Sequence, residues 1–285
     1  SDLRVKPTKE QPTNDGKVGA FRVECFTSHM ANDDPIVYPG QPGKSHHHTF
    51  FGNTTTNANS DLMDFANVGN STCKGGIMNR SAYWVPSMID TTNGTPIKPD
   101  KAIFYYKTGG LPPGNLVVPP KGLRMISGNA GAKTVDESSA TFTCIRKGNG
   151  NSGWTRNIPA CNVGETMQMM VGFPQCWDGV NLDSPDHKSH MAYTVPRQGK
   201  CPATHPIGLP QITLGLNFVI VDGNQTAKWR LASDNYFSGL PAGYSAHADW
   251  VNGWDESIMT SIVKNCLNAA KDCHAHLLGD GRMFF

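Results

Sequence analysis

Ten histidines are present in the 285-residue chain, and their grouping carries more information than their number. The first group is Ser45-His46-His47-His48-Thr49-Phe50-Phe51-Gly52-Asn53. On an extended backbone successive side chains alternate, so His46 and His48 point one way and His47 the other. An H-x-H pair of this kind can present two imidazoles to one metal ion or one substrate. Its internal position rules out a polyhistidine tag, and the bland alternative is a loop of structural histidines.

A second group runs from Cys176 to His190 (CWDGVNLDSPDHKSH), with carboxylates at Asp178, Asp183 and Asp186 and imidazoles at His187 and His190. Imidazoles beside carboxylates suit a general base and its orienting acid, since histidine titrates near neutrality. Aspartates in Gly/Pro-punctuated loops equally often bond the backbone and form turns. In the third group, His247-Ala248-Asp249-Trp250 through Asp255, an extended backbone aims His247 and Asp249 the same way, while Asp255 suits a helix cap. A fourth, Ser28 to Pro35, holds the adjacent carboxylates Asp33 and Asp34, which could raise one another's pKa or form a plain turn. Aromatic residues lie close to these polar groups: Tyr83, Trp84, Trp177, Trp250 and Trp254. Their faces could stack on sugar rings, although most tryptophans are core. No G-x-S-x-G elbow, P-loop, G-x-G-x-x-G fingerprint or H-E-x-x-H occurs, which argues against serine hydrolases, nucleotide-binding enzymes and zincin proteases. Sequons begin at Asn53, Asn70, Asn79, Asn93 and Asn224 and matter only in a eukaryotic secretory pathway.

The elements that must position these groups read as strands. Alternation begins at Val18 with Phe21, Val23 and Cys25 inward, after a polar, aperiodic stretch 1–17 expected to be a flexible arm. Further strands are expected at 81–89, 101–107, 122–126, 140–145, 166–173, 190–195, 211–222 and 226–232. Turn signals separate them, including Asn93-Gly94, Pro119-Pro120 and Asp222-Gly223, the last at hairpin spacing. After Asp255 the spacing of Ile258, Met259, Ile262, Val263, Cys266, Leu267 and Ala270 predicts one amphipathic helix. With 30 Gly, 20 Pro and only 17% charged residues, the expected fold is all-β: a sandwich or jelly-roll-like single domain over 18–285, with long loops and one C-terminal helix.

A net charge of +2 with scattered Lys and Arg gives no basic stripe for nucleic acid. No run approaches the roughly 20 apolar residues of a membrane span. No signal peptide is visible, so the chain reads as mature or trimmed. Eight cysteines, none in C-x-x-C, suit disulfides and an oxidising, extracellular compartment. The simplest pairing is sequential (Cys25–Cys73, Cys144–Cys161, Cys176–Cys201, Cys266–Cys273), one of roughly a hundred that eight cysteines permit.

The stretches DDPIVYPGQPG, SHHHTFFGN, NRSAYWVP, CWDGVNLDSPDHKSHMAY and HADWVNGWD together resemble a secreted fungal and bacterial family known as a domain of unknown function, number nineteen-ninety-six. The resemblance spans about 18–273. The family's S-H-x-H motif falls on Ser45, His46 and His48, with His47 at the variable place, and its H-x-D-W motif on His247, Asp249 and Trp250. The resemblance implies an exported protein, in a context similar to proteins acting on cell-wall or environmental polysaccharides; it does not imply a reaction.

Three functions follow as expectations. The first is a secreted enzyme cleaving a polysaccharide. In a hydrolase Asp186 and Asp249 flank the glycosidic bond, with Asp34 in reserve and His48, His190 and His247 orienting them. In a lyase His190 abstracts a proton and Tyr193 or His48 donates one. Tyr83, Trp84, Trp177 and Trp250 would bind the sugar. The second is a divalent-metal protein with His46, His48 and His247 as zinc or copper ligands and Asp249 as a fourth. The third is a non-catalytic carbohydrate-binding module.

Overall fold

The computed structural model describes residues 4–14, 16–148, 150–222, 225–236 and 238–285. Ten strands carry the architecture: β1 (Ala20–Cys25), β2 (Thr27–Ala31), β3 (His48–Gly52), β4 (Ala82–Pro86), β5 (Lys101–Lys107), β6 (Arg124–Gly128), β7 (Thr141–Arg146), β8 (Thr166–Gly172), β9 (Gln211–Val219) and β10 (His247–Val251). One helix, α1 (Glu256–Ile262), follows. The fold is all-β, with a five-stranded sheet in the order β6-β10-β4-β3-β2 and a larger one built on β7-β8-β9-β5-β1. Short pairs at 150–151, 271–272 and 13–14 extend the larger sheet to eight strands.

Side-chain alternation explains why the two sheets pack and why a second face matters. Phe21, Val23, Phe104, Tyr106, Met167, Met169, Leu214 and Leu216 from the large sheet meet Phe51, Tyr83, Val85, Met125, Ala248 and Trp250 from the small one in the main core. The intervening residues of the small sheet point away from that core. Phe50, Ala82, Trp84 and Val251 form a second, smaller core with Ile36, Leu62 and Phe65 from the loops that cover this outer face. β4 is therefore buried on both sides, which a continuous apolar run such as Ala82–Pro86 signals.

Four disulfides join Cys25–Cys73, Cys144–Cys161, Cys176–Cys201 and Cys266–Cys273, the sequential pairing. Cys25–Cys73 ties the end of β1 to the loop over the outer face.

Several local expectations are corrected. The stretch 1–17 is not a free arm over its described part: Val5–Pro7 pairs with Arg282–Phe284, and Thr13–Asn14 with Lys271–Asp272. Both partners lie at the far end of the chain, so no local pattern announces them. Asp255 caps α1 by accepting from the Ile258 N–H at 3.1 Å. The helix widens after Ile262, where Asn268 N–H donates to the Val263 carbonyl at 2.8 Å, and Ala270 lies beyond it at φ 52°. The strand expected at 190–195 shrinks to Met191–Ala192, and that at 226–232 to Trp229–Leu231. Gly223 of the expected hairpin, and the sequon residue Asn224, lie outside the described residues.

Gly52 has φ 79°, and a Cβ there would collide with the Ser81 carbonyl oxygen. Gly52→Ala is expected to destabilise by on the order of 3 kcal/mol, combining left-handed strain with overpacking, seen as a lower urea midpoint at unchanged slope. Among the sequons, Asn53 and Asn79 are buried and their amides donate inward, to Phe65 and Val68 carbonyls and to the Tyr83 hydroxyl, whereas Asn70 and Asn93 are exposed. Folded protein from a eukaryotic secretory host should carry glycan at Asn70 and Asn93 and none at Asn53 or Asn79 by glycopeptide mass spectrometry.

Candidate functional site

Two rows cross the outer face of the small sheet. Phe50 lies opposite Trp84, and Trp84 opposite Asp249; one pleat further on, His48 lies opposite Pro86. The same register carried two residues along β10 brings His247 level with Pro86. Alternation thus aims His48, His247 and Asp249 at one side, and the loop leading into β3 adds His46.

The three imidazoles converge. His46 Nε2 is 3.2 Å from His247 Nε2, and His48 Nε2 is 3.5 Å from the same atom. The opposite ring nitrogens fix the tautomers, because a carbonyl oxygen only accepts. His48 Nδ1–H donates to the Asp33 carbonyl at 2.9 Å, and His247 Nδ1–H to the Ser245 carbonyl at 2.8 Å. In their neutral forms both rings therefore turn an Nε2 lone pair toward the other. The outer N–H bound to a carbonyl is the support that metal-ligating histidines commonly have. A tetrahedral ion about 2.0–2.1 Å from each nitrogen would set the nitrogens roughly 3.3–3.4 Å apart. The observed spacings bracket that value.

Burial keeps the rings neutral. His48 and His247 are buried and His46 is half-buried. Desolvation lowers His46 to about 4. Desolvation, then the neighbouring His46 ring, lowers His247 to about 3, with Lys188 adding to the effect. Desolvation likewise holds His48 well below the ordinary value.

Beside the triad lie two buried carboxyls. Ligand atoms of Asp34, His48 and Asp249 fall within 4.8 Å of one another, as do those of His46, His48 and His247. Asp249 belongs to the first set and not the second, so the expectation that it is the triad's fourth ligand is corrected. Asp34 Oδ1 accepts from the Ile36 and Val37 N–H groups, each at 2.9 Å. Burial raises Asp34, against those two hydrogen bonds. Burial, then the charge of Asp34, raises Asp249 well above the ordinary range, against the pull of Lys188.

The second sequence group reaches the same face from the β6 edge. Arg124 N–H donates to the Leu182 carbonyl, and Lys188 Nζ donates to the Gly128 carbonyl at 2.7 Å. Its residues are scaffold in their contacts. His190 is buried, donating from Nε2 to the Arg124 carbonyl at 2.8 Å, with Ser184 Oγ 2.8 Å from Nδ1. Nε2 is committed as a donor, and Nδ1 faces Ser184 Oγ inside the protein instead of an open cleft. The Tyr193 hydroxyl donates to the Gly172 carbonyl at 3.1 Å. Asp186 Oδ1 accepts from Ser189 N–H, Ser189 Oγ, Lys188 N–H and Ser184 Oγ, which hold its carboxyl far below the usual range. It closes a turn and is a poor general acid. Asp186 is a surface turn acceptor and Asp249 is buried, so the two do not present a pair of carboxyls to one open cleft.

The sugar-stacking assignment is corrected for three residues. Tyr83, Trp84 and Trp250 are each 0% exposed. Trp177 is half-buried, its indole N–H donating to the Asn181 carbonyl at 2.7 Å. Sequence reasoning missed Lys188, which faces His247 and Asp249 electrostatically. It also missed the carbonyls of Asp33 and Ser245, which no side-chain pattern reveals.

The fold and site define a disulfide-bridged all-β protein with a histidine triad, two of its rings buried and one half-buried, on the outer face of one sheet. The chain belongs to the family described as Domain of unknown function (DUF1996), which matches residues 34–254. No curated protein and no solved structure matches it.

The tautomers and burial are directly testable. In metal-free protein, lowered folded-state values mean that His46 and His247 stay neutral as pH falls through 6.5, charging only near 4 and 3. Ring nitrogen NMR should show His247 with its proton on Nδ1 and unchanged from pH 8 to 5. A transition of that ring near 6.5 would refute the assignment.

Proposed function

We propose that this chain is an extracellular divalent-metal protein whose zinc or copper ion is held by Nε2 of His46, His48 and His247. The observation that supports the reading most is the approach of the three nitrogens, at 3.2 and 3.5 Å, with the rings of His48 and His247 anchored from behind by carbonyls. Two neutral imidazoles aimed at each other in a dry site favour a cation between them. Imidazole ligands suit zinc and copper among the common ions.

Asp249 stands outside the triad, which leaves the fourth tetrahedral position to water or a substrate oxygen. Three protein ligands with one open position is the arrangement of reactive rather than purely structural zinc sites. Half-buried His46 marks the approach. Action on a cell-wall glycan, the polysaccharide expectation, would therefore run at the ion and not between two carboxylates. The extracellular assignment rests on four disulfides, which persist in oxidising compartments. No helix is long and apolar enough to cross a membrane among the described residues.

Untagged protein, stripped by chelation and reloaded with Cu(II), should show an EPR spectrum with nitrogen hyperfine structure from three imidazoles. His46→Ala and His247→Ala should weaken binding by more than the roughly 10–100-fold that loss of a supporting group costs. At ion concentrations of about 100 times Kd the wild type should gain about 2.7 kcal/mol of stability, lost on chelation. A wild type without nitrogen-coordinated copper, or a His247→Ala protein with an unchanged spectrum, refutes the proposal.

A further inference from the structure

We infer that the carboxylates of Asp34 and Asp249 hold a second divalent cation beside the triad, making this a paired-ion centre. The inference rests on the reading of the triad as a metal site and extends it. Asp249 is 1% exposed, and neither of its carboxyl oxygens has a hydrogen-bond partner. The buried indole N–H groups of Trp84 and Trp250 make no hydrogen bond to it; that of Trp84 acts on Asp34 instead, too far for a well-formed hydrogen bond. Buried carboxyl groups in proteins are ordinarily hydrogen-bonded, paired or bound to a metal, because an isolated one costs several kcal/mol.

A proton shared between Asp34 and Asp249 would satisfy both, but it needs a short oxygen–oxygen contact. No donor reaches either Asp249 oxygen, and Asp34 acts on Asp249 through its charge, with no hydrogen bond between the two carboxyls. Lys188 is the cationic group that acts on Asp249, and its Nζ donates instead to the Gly128 carbonyl. What the geometry offers is a gap: ligand atoms of Asp34, Asp249 and His48 within 4.8 Å of one another. Oxygen ligands sit about 2.0–2.6 Å from a divalent ion, so carboxylates some 3–5 Å apart can grip one between them. His48 lies beside both positions, but its Nε2 serves the triad and its Nδ1–H is committed to the Asp33 carbonyl, so the second ion would rest on the two carboxylates and water. Paired ions about 3.5–4 Å apart are a recurring hydrolytic arrangement. The carboxylate position suits an oxygen-seeking ion such as manganese, and zinc also accepts carboxylate oxygen.

The test is a count of ions. Untagged wild type, stripped and then equilibrated with Zn2+, should carry two ions per chain by elemental analysis. Asp249→Asn should carry one and keep the three-imidazole Cu(II) spectrum; His247→Ala should also carry one. In the unsubstituted protein fully loaded with Cu(II), the two ions should couple, broadening the EPR signal and reducing its integrated intensity. One ion per wild-type chain with an isolated Cu(II) signal overturns the paired centre and leaves the triad standing. One ion in the wild type whose affinity, but not number, falls in Asp249→Asn overturns it too, making the carboxylates charge partners only. No ion in the wild type overturns both readings.

Discussion

The outer nitrogens of His48 and His247 are committed to the carbonyls of Asp33 and Ser245, and the site depends on that commitment. It fixes which way each ring faces, which proton it carries, and where the remaining lone pair points. The commitment is made by backbone, so it is rigid in a way that a side-chain partner would not be. One carbonyl belongs to the loop before β3 and the other to the turn before β10. The two lone pairs meet only because β4 separates those strands by a single ladder on each side.

A face of this kind must be kept dry, and the loops that cover it are long. Cys25–Cys73 closes a span of 48 residues, which in a chain-entropy account contributes roughly 4 kcal/mol. Ile36, Leu62 and Phe65 add an apolar lid over Phe50, Trp84 and Val251. Cys176–Cys201 holds the stretch that bears Asp186, His187 and Lys188 against β6. Burial under this cover desolvates the imidazoles, which keeps them unprotonated and available as ligands.

Much of this was legible in the residues, for physical reasons that also explain the errors. His46-x-His48 and His247-x-Asp249 are period-two patterns, and a strand's alternation makes their shared direction readable. That the two patterns face each other is a matter of strand order, which no local signal carries. The run Ala82–Pro86 is apolar at every place, a sign of a strand covered on both faces, so Tyr83 and Trp84 were core residues before any sugar could be considered. Asp186 precedes Lys188 and Ser189 in a tight turn, and a carboxylate there is consumed by backbone N–H groups before it can serve chemistry. The pairing of Val5–Pro7 with the far terminus depends on a partner more than 270 residues away, beyond any window of periodicity.

The two carboxyls clarify what kind of chemistry the site favours. A glycosidase needs carboxyl groups roughly 5–9.5 Å apart on either side of an open cleft, one of them ionised at the surface of the substrate. Asp34 and Asp249 are closer than that and both buried. Their environment suits neutralising positive charge more than receiving a sugar. Three neutral imidazoles donate no charge, so an ion they hold keeps its full +2 in a medium that tolerates it poorly. Anionic groups close behind His48 offset that charge while leaving the triad's fourth position unfilled. The same buried acids that make no sense as a hydrolytic couple become reasonable once the nearest imidazoles are read as ligands, and the span matched by the family, 34–254, contains every side chain of both groups.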